Sequence, residues 1–136
     1  MSYTLIVTQK RSYLHAIVTG TNSEEAVGGY LADLLRECSA RKCSRVLIEE
    51  HLQGPRLSTF PVFRVASEGA KQALGHVRAI AYVDANASGN LMQFAETVAV
   101  NRGLNVAVFR SVDAAREWLM HDAAGGAAAP RRAATS

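Results

Sequence analysis

The stretch Tyr3–Gly20, YTLIVTQKRSYLHAIVTG, decides how the fold begins. Tyr3 to Thr8 alternates and is rich in β-branched and aromatic residues, the pattern of a half-buried strand. Gln9-Lys10-Arg11-Ser12 is a short polar break, and Tyr13 to Thr19 repeats the strand pattern. Four residues cannot hold a crossover, so the two strands form an antiparallel hairpin. Gly20 ends the second strand.

Beyond the hairpin the period changes. Asn22, with Glu25 three residues on, reads as the opening of a helix. Val27, Leu31, Leu34, Leu35 and Cys38 then recur at helical spacing up to the polar run Ser39–Ser44. Arg45–Glu50 is a third strand carrying Val46, Leu47 and Ile48, and His51–Leu57 is a loop with Gly54-Pro55. Ser58 opens a second helix that buries Val62, Phe63, Ala66, Ala70 and Ala73 and stops at Gly75. Val77–Val83 is a fourth strand and Asp84–Gly89 a polar loop. Leu91, Met92, Ala95, Val98 and Ala99 mark a third helix, which Gly103 ends in a left-handed turn. Leu104–Phe109 is a fifth strand, placed centrally because it carries no charge. Ser111 caps a last helix, with Ala115, Trp118 and Leu119 facing inward. The fold class is therefore α/β, in the order β-β-α-β-α-β-α-β-α: a five-stranded mixed sheet with an N-terminal antiparallel hairpin and four helices. Residues 1–122 form one domain, and the Ala/Gly/Pro/Arg-rich segment 123–136 is expected to be disordered.

This order resembles that of the STAS superfamily, and most of all its SpoIIAA-like branch of small stand-alone bacterial proteins. The specific stretch is Phe94–Leu119, FAETVAVNRGLNVAVFRSVDAAREWL, where a helix ends in an Asn-Arg-Gly turn before a Val/Phe strand and a helix with Ala and Trp-Leu. Cys43–Ile48, CSRVLI, is similar to the family's entry into its third strand. The resemblance implies a regulatory, non-enzymatic domain that docks a protein partner through the second helix and the loop before it. It also implies a phosphorylatable hydroxyl at the start of that helix. Here the matching place reads Arg56-Leu57-Ser58-Thr59-Phe60-Pro61, so Ser58 or Thr59 takes that position, without the family's flanking Asp and Gly. Some relatives look adapted to lipid-like ligands, which implies a second use for the same region.

Composition narrows the alternatives. A formal net charge of +3 over 136 residues, with Arg131 and Arg132 in the tail, leaves no dense basic stripe for nucleic acid. No apolar run approaches a membrane span, and nothing reads as a signal peptide, so a cytoplasmic location is expected. Cys38 and Cys43 fit no zinc spacing, and the four histidines are scattered, so neither a metal nor any other cofactor is expected. No nucleophile elbow, P-loop or metalloprotease motif is present.

Two surfaces stand out. Phe60, Val62, Phe63, Met92 and Phe94 are candidates for a partner surface or an apolar pocket between the second and third helices. Glu50, His51, Asp84, Ser88, Asn90 and Arg110 gather at the rim where parallel strands end, the edge at which α/β sheets bind ligands. A backbone amide at the third helix's start would suit an anion there. A protein partner, a small apolar or anionic ligand, and a homodimer are all compatible with this reading.

Overall fold

The computed structural model describes residues 3–55, 59–84 and 89–123, with the backbone alone at 59, 60, 89–92, 122 and 123. The chain runs β1 (Tyr3–Gln9), β2 (Leu14–Thr21), α1 (Glu24–Arg41), β3 (Arg45–Gln53), α2 (Thr59–Ala73), β4 (Ala79–Asp84), α3 (Gly89–Asn101), β5 (Val106–Phe109) and α4 (Val112–Ala123). This is the order expected. β1 pairs antiparallel with β2, and every later pair is parallel, in the spatial order β1-β2-β3-β4-β5. No helix among the described residues is long and apolar enough to cross a membrane.

Strand neighbours in space are strand neighbours in sequence, so each crossover advances the same way across the sheet. Right-handed crossovers then stack α1, α2 and α3 on one face. The strand pleat divides the core accordingly. Leu14, Ala16, Val18, Val46 and Ile48 point to the three-helix side, where they meet Val27, Tyr30, Leu34, Ala70 and Ala99. Leu47, Ala79, Ala81, Ala107 and Phe109 point to the other side, where Ala115 and Leu119 of α4 cover them.

Four local expectations are corrected. Ser23, not Asn22, caps α1: its hydroxyl accepts the Ala26 N–H at 2.9 Å. Asn22 is drawn away because β2 runs on to Thr21 and the Asn22 N–H donates to the Gln53 carbonyl at 2.7 Å. β3 likewise continues to Gln53, since Thr19, Gly20 and Thr21 pair with His51, Leu52 and Gln53. His51 therefore lies on a strand rather than in a loop. β5 is an edge strand, not a central one. Its lack of charge reflects cover on both faces, by α3 and α4, which says nothing about its position in the sheet. Phe63 does not join the core; it is 37% exposed, with the Arg102 guanidinium 5.4 Å above its ring.

Other signals stand as read. Gly103 takes a positive φ of 93°, and the Ser111 hydroxyl accepts the Ala114 N–H. α1 ends at Lys42, a left-handed residue with φ 53°. There the Cys43 N–H donates to the Cys38 carbonyl and the Lys42 N–H to that of Ser39, a Schellman closure. The two cysteines thus flank one helix stop. Cys38 is buried, and burial pushes its thiol up to about 11, which makes it an inert core residue.

Candidate functional site

α2 rests mainly on α1 and α3 and stands off the sheet, and the small residues it turns inward, Ala66, Gly69, Ala70 and Ala73, do not fill the space that is left. Beneath it lies a cavity of about 180 Å³. Its floor is Val46, Ile48, Ile80, Val106 and Val108 of the sheet, and its walls include Leu31, Leu34 and Leu35 of α1 and Ala95 and Ala99 of α3. Val62 and Val65 of α2 also line it.

One end of this apolar space is polar. The inward register of β3 reads Val46, Ile48, Glu50, and that of β4 reads Ile80, Tyr82, Asp84. Glu50 and Asp84 are direct partners across the parallel pair, so two carboxyl groups sit side by side at the cavity wall. Glu50 is only 2% exposed, and the Tyr30 hydroxyl donates to its Oε2. Burial first, then the neighbouring Asp84, pushes the Glu50 carboxyl up to about 7. Burial and the facing carboxyl groups raise the Tyr30 and Tyr82 phenols far above their ordinary value, so both remain hydrogen-bond donors at any physiological pH. Glu96 of α3, also 2% exposed, lines the same cavity and accepts the Val108 N–H through Oε2 at 3.0 Å.

The strand-end rim read from sequence is thus split by the pleat. Glu50 and Asp84 come together at the cavity, while Arg110 is exposed beyond β5. His51 faces the opposite side of the sheet. There its Nε2 lies 2.7 Å from Glu49 Oε2, and His15 Nε2 lies 2.9 Å from Glu49 Oε1. The two imidazoles, His51 foremost, hold the Glu49 carboxyl below its ordinary value. No group of three or more His, Cys, Asp or Glu among the described residues is arranged to hold a metal. Ser58 and Ser88 lie outside the described residues, and Thr59, Phe60, Asn90 and Met92 are placed by backbone only, in the first turns of α2 and α3. Phe94 is half-buried on α3.

Tyr30, Tyr82 and Glu96 were not singled out from sequence. A signal for the acidic end was present: Glu50 and Asp84 each continue an every-second-residue apolar series into the core. A carboxylate at such a position is buried by register and needs a partner.

Compared with known proteins, the chain matches no protein-family model and no curated protein.

Proposed function

We propose that this chain is a cytosolic, non-catalytic binding domain that takes a compact, mainly apolar small molecule beneath α2. The cavity of about 180 Å³ supports this reading. An apolar cavity of about 150 Å³ is enough to hold benzene, so the ligand has on the order of six to ten heavy atoms. Its one polar group meets Glu50, Asp84 and the Tyr30 and Tyr82 hydroxyls. The lining contains Glu50, Asp84 and Glu96 and no Lys or Arg, which favours a neutral or cationic ligand over a carboxylate or phosphate.

Toluene, benzyl alcohol and benzylamine serve as probes, with binding followed by protein NMR shifts and calorimetry. The alcohol and the amine are expected to bind more tightly than toluene. Ala70→Leu places three more carbons into the cavity from the middle of α2. It is expected to raise unfolding free energy by about 1–2 kcal/mol and abolish probe binding. Undiminished probe affinity in that variant would remove the cavity as the site.

Phe63 supports a second reading, the regulatory one that the STAS resemblance implies. The helix that roofs the cavity also carries an exposed aromatic ring, so α2 would both sense a ligand and meet a protein partner. Phosphorylation of Ser58 or Thr59, as the resemblance implies, would then add negative charge to the start of that helix. Phe63→Asp is expected to leave the melting curve within about 1 kcal/mol of the parent and probe binding intact, because the ring lies outside the core. Loss of the folded state on circular dichroism would return Phe63 to the core and end its role as a docking residue.

A further inference from the structure

The two edges of the sheet are treated differently. β5 spans four residues, and the Glu96 carboxylate takes the backbone N–H of Val108. β1 spans seven residues, Tyr3–Gln9, and contains no charge and no proline. A long uncharged edge strand is the kind that recruits another strand. Beside it runs α1, in the same direction as β1, with a polar groove between them.

That groove carries charges of alternating sign: Asp33, Arg36, Glu37 and Arg41. Within α1, Arg36 pairs with Asp33 and Arg41 with Glu37, yet Arg36 keeps 71% of its side chain exposed, Glu37 42% and Arg41 37%. The level of β1 against α1 is fixed by Tyr3, whose hydroxyl donates to Asp33 and whose ring lies against Gly29. A strand advances about 3.4 Å per residue and a helix about 1.5 Å. Leu5 and Ile6 therefore stand level with Arg36 and Glu37.

We propose that β1 pairs antiparallel with β1 of a second copy of this chain, about a twofold axis at Ile6, to give a continuous ten-stranded sheet. The charge order supports this occupant. A twofold axis at that level reverses α1 onto its copy, so that Arg36 meets Glu37 of the partner subunit and Asp33 meets Arg41 of the partner subunit. Each contact occurs twice, as an isologous interface requires. An unrelated extended peptide would satisfy the strand edge but would not join the two ion pairs of each α1 into one alternating network across the axis. On the far face of the sheet, Ile6, 56% exposed in the single chain, comes beside its own copy.

Sedimentation velocity on the full chain, from micromolar to submillimolar concentration, tests the proposal. A monomer–dimer equilibrium is expected. Arg36→Glu sets like charges together twice and is expected to weaken the dimer by about tenfold or more. The double variant R36E/E37R reverses both members of each pair and is expected to restore it. Circular dichroism shows whether both variants remain folded, and Ile6→Lys provides an independent disruption of the same axis. A single species of monomer mass at every concentration would overturn the proposal. So would a dimer that neither Arg36→Glu nor Ile6→Lys weakens, since it would be built on another face.

Discussion

Raising the pH from about 4.5 to about 7 is expected to cost the folded state about 3 kcal/mol through Glu50 alone. The sign follows from where the proton is held. In the unfolded chain this carboxyl titrates near 4.5, and in the fold it holds its proton up to about 7. Across that window the folded state binds more protons than the unfolded one, so stability falls as pH rises and levels off above about 7. Glu49 works in the opposite sense and in a different window. Its carboxyl is held below 4.5, so its contribution is full above that value and is lost only as the solution becomes more acidic. The two effects therefore do not cancel. Urea unfolding at a series of pH values measures the slope. Glu50→Gln keeps the shape and an oxygen for the Tyr30 hydroxyl but cannot ionise. It is expected to flatten the slope and, above neutrality, to exceed the parent in stability by up to about 3 kcal/mol. A parent whose stability is level or rising across this window would show that Glu50 ionises in place at little cost.

The second large effect lies on the other face of the sheet. Ala79, Ala81, Ala107 and Ala115 are all fully buried, and they let α4 lie close against β3, β4 and β5. Leu47 and Leu119, also fully buried, fill the space around them. Ala81→Leu adds three carbons between two closely packed layers. It is expected to destabilise the protein by about 3 kcal/mol or more, with a fall in Tm of roughly 10 °C. Ala70→Leu makes the same chemical change on the three-helix side and is expected to stabilise. The pair of melts compares a filled layer with one that contains room. Equal losses in both variants would mean that no usable space lies under α2.

Much of the architecture was legible because it is encoded locally. Tyr3–Gly20 alternates on both sides of a break too short for anything but a hairpin. Gly103 and Ser111 carry their own backbone instructions, and Cys38 falls on a helical apolar face. What was not legible depends on register between distant segments. Glu50 and Asp84 were expected at one rim, but that Asp84, 34 residues later, is the direct cross-strand partner of Glu50 depends on the register of β3 against β4. His51 looked like the first residue of a loop because the polar pair Glu49-Glu50 precedes it. Its strand assignment comes from pairing with Thr19. An apolar pocket between the second and third helices was offered by their large residues, but its floor on the sheet was not legible. That space is left by the smallness of Ala66, Gly69 and Ala70, whose distance from the sheet no local pattern encodes.

The sequential order of the strands has a consequence for how the molecule comes into being. Every parallel strand docks on the one made just before it, so most partners meet across a single intervening helix rather than across the whole chain. Short separations of this kind favour rapid folding. They also suit synthesis from the N-terminus, since a nascent chain on the ribosome can assemble β1 to β4 while β5 and α4 are still unmade. α4 emerges after every strand that it covers, and until it does the alanine floor stands bare to water. Stalled or truncated chains that end before Val112 would therefore expose that surface and become the natural targets of chaperones and proteases.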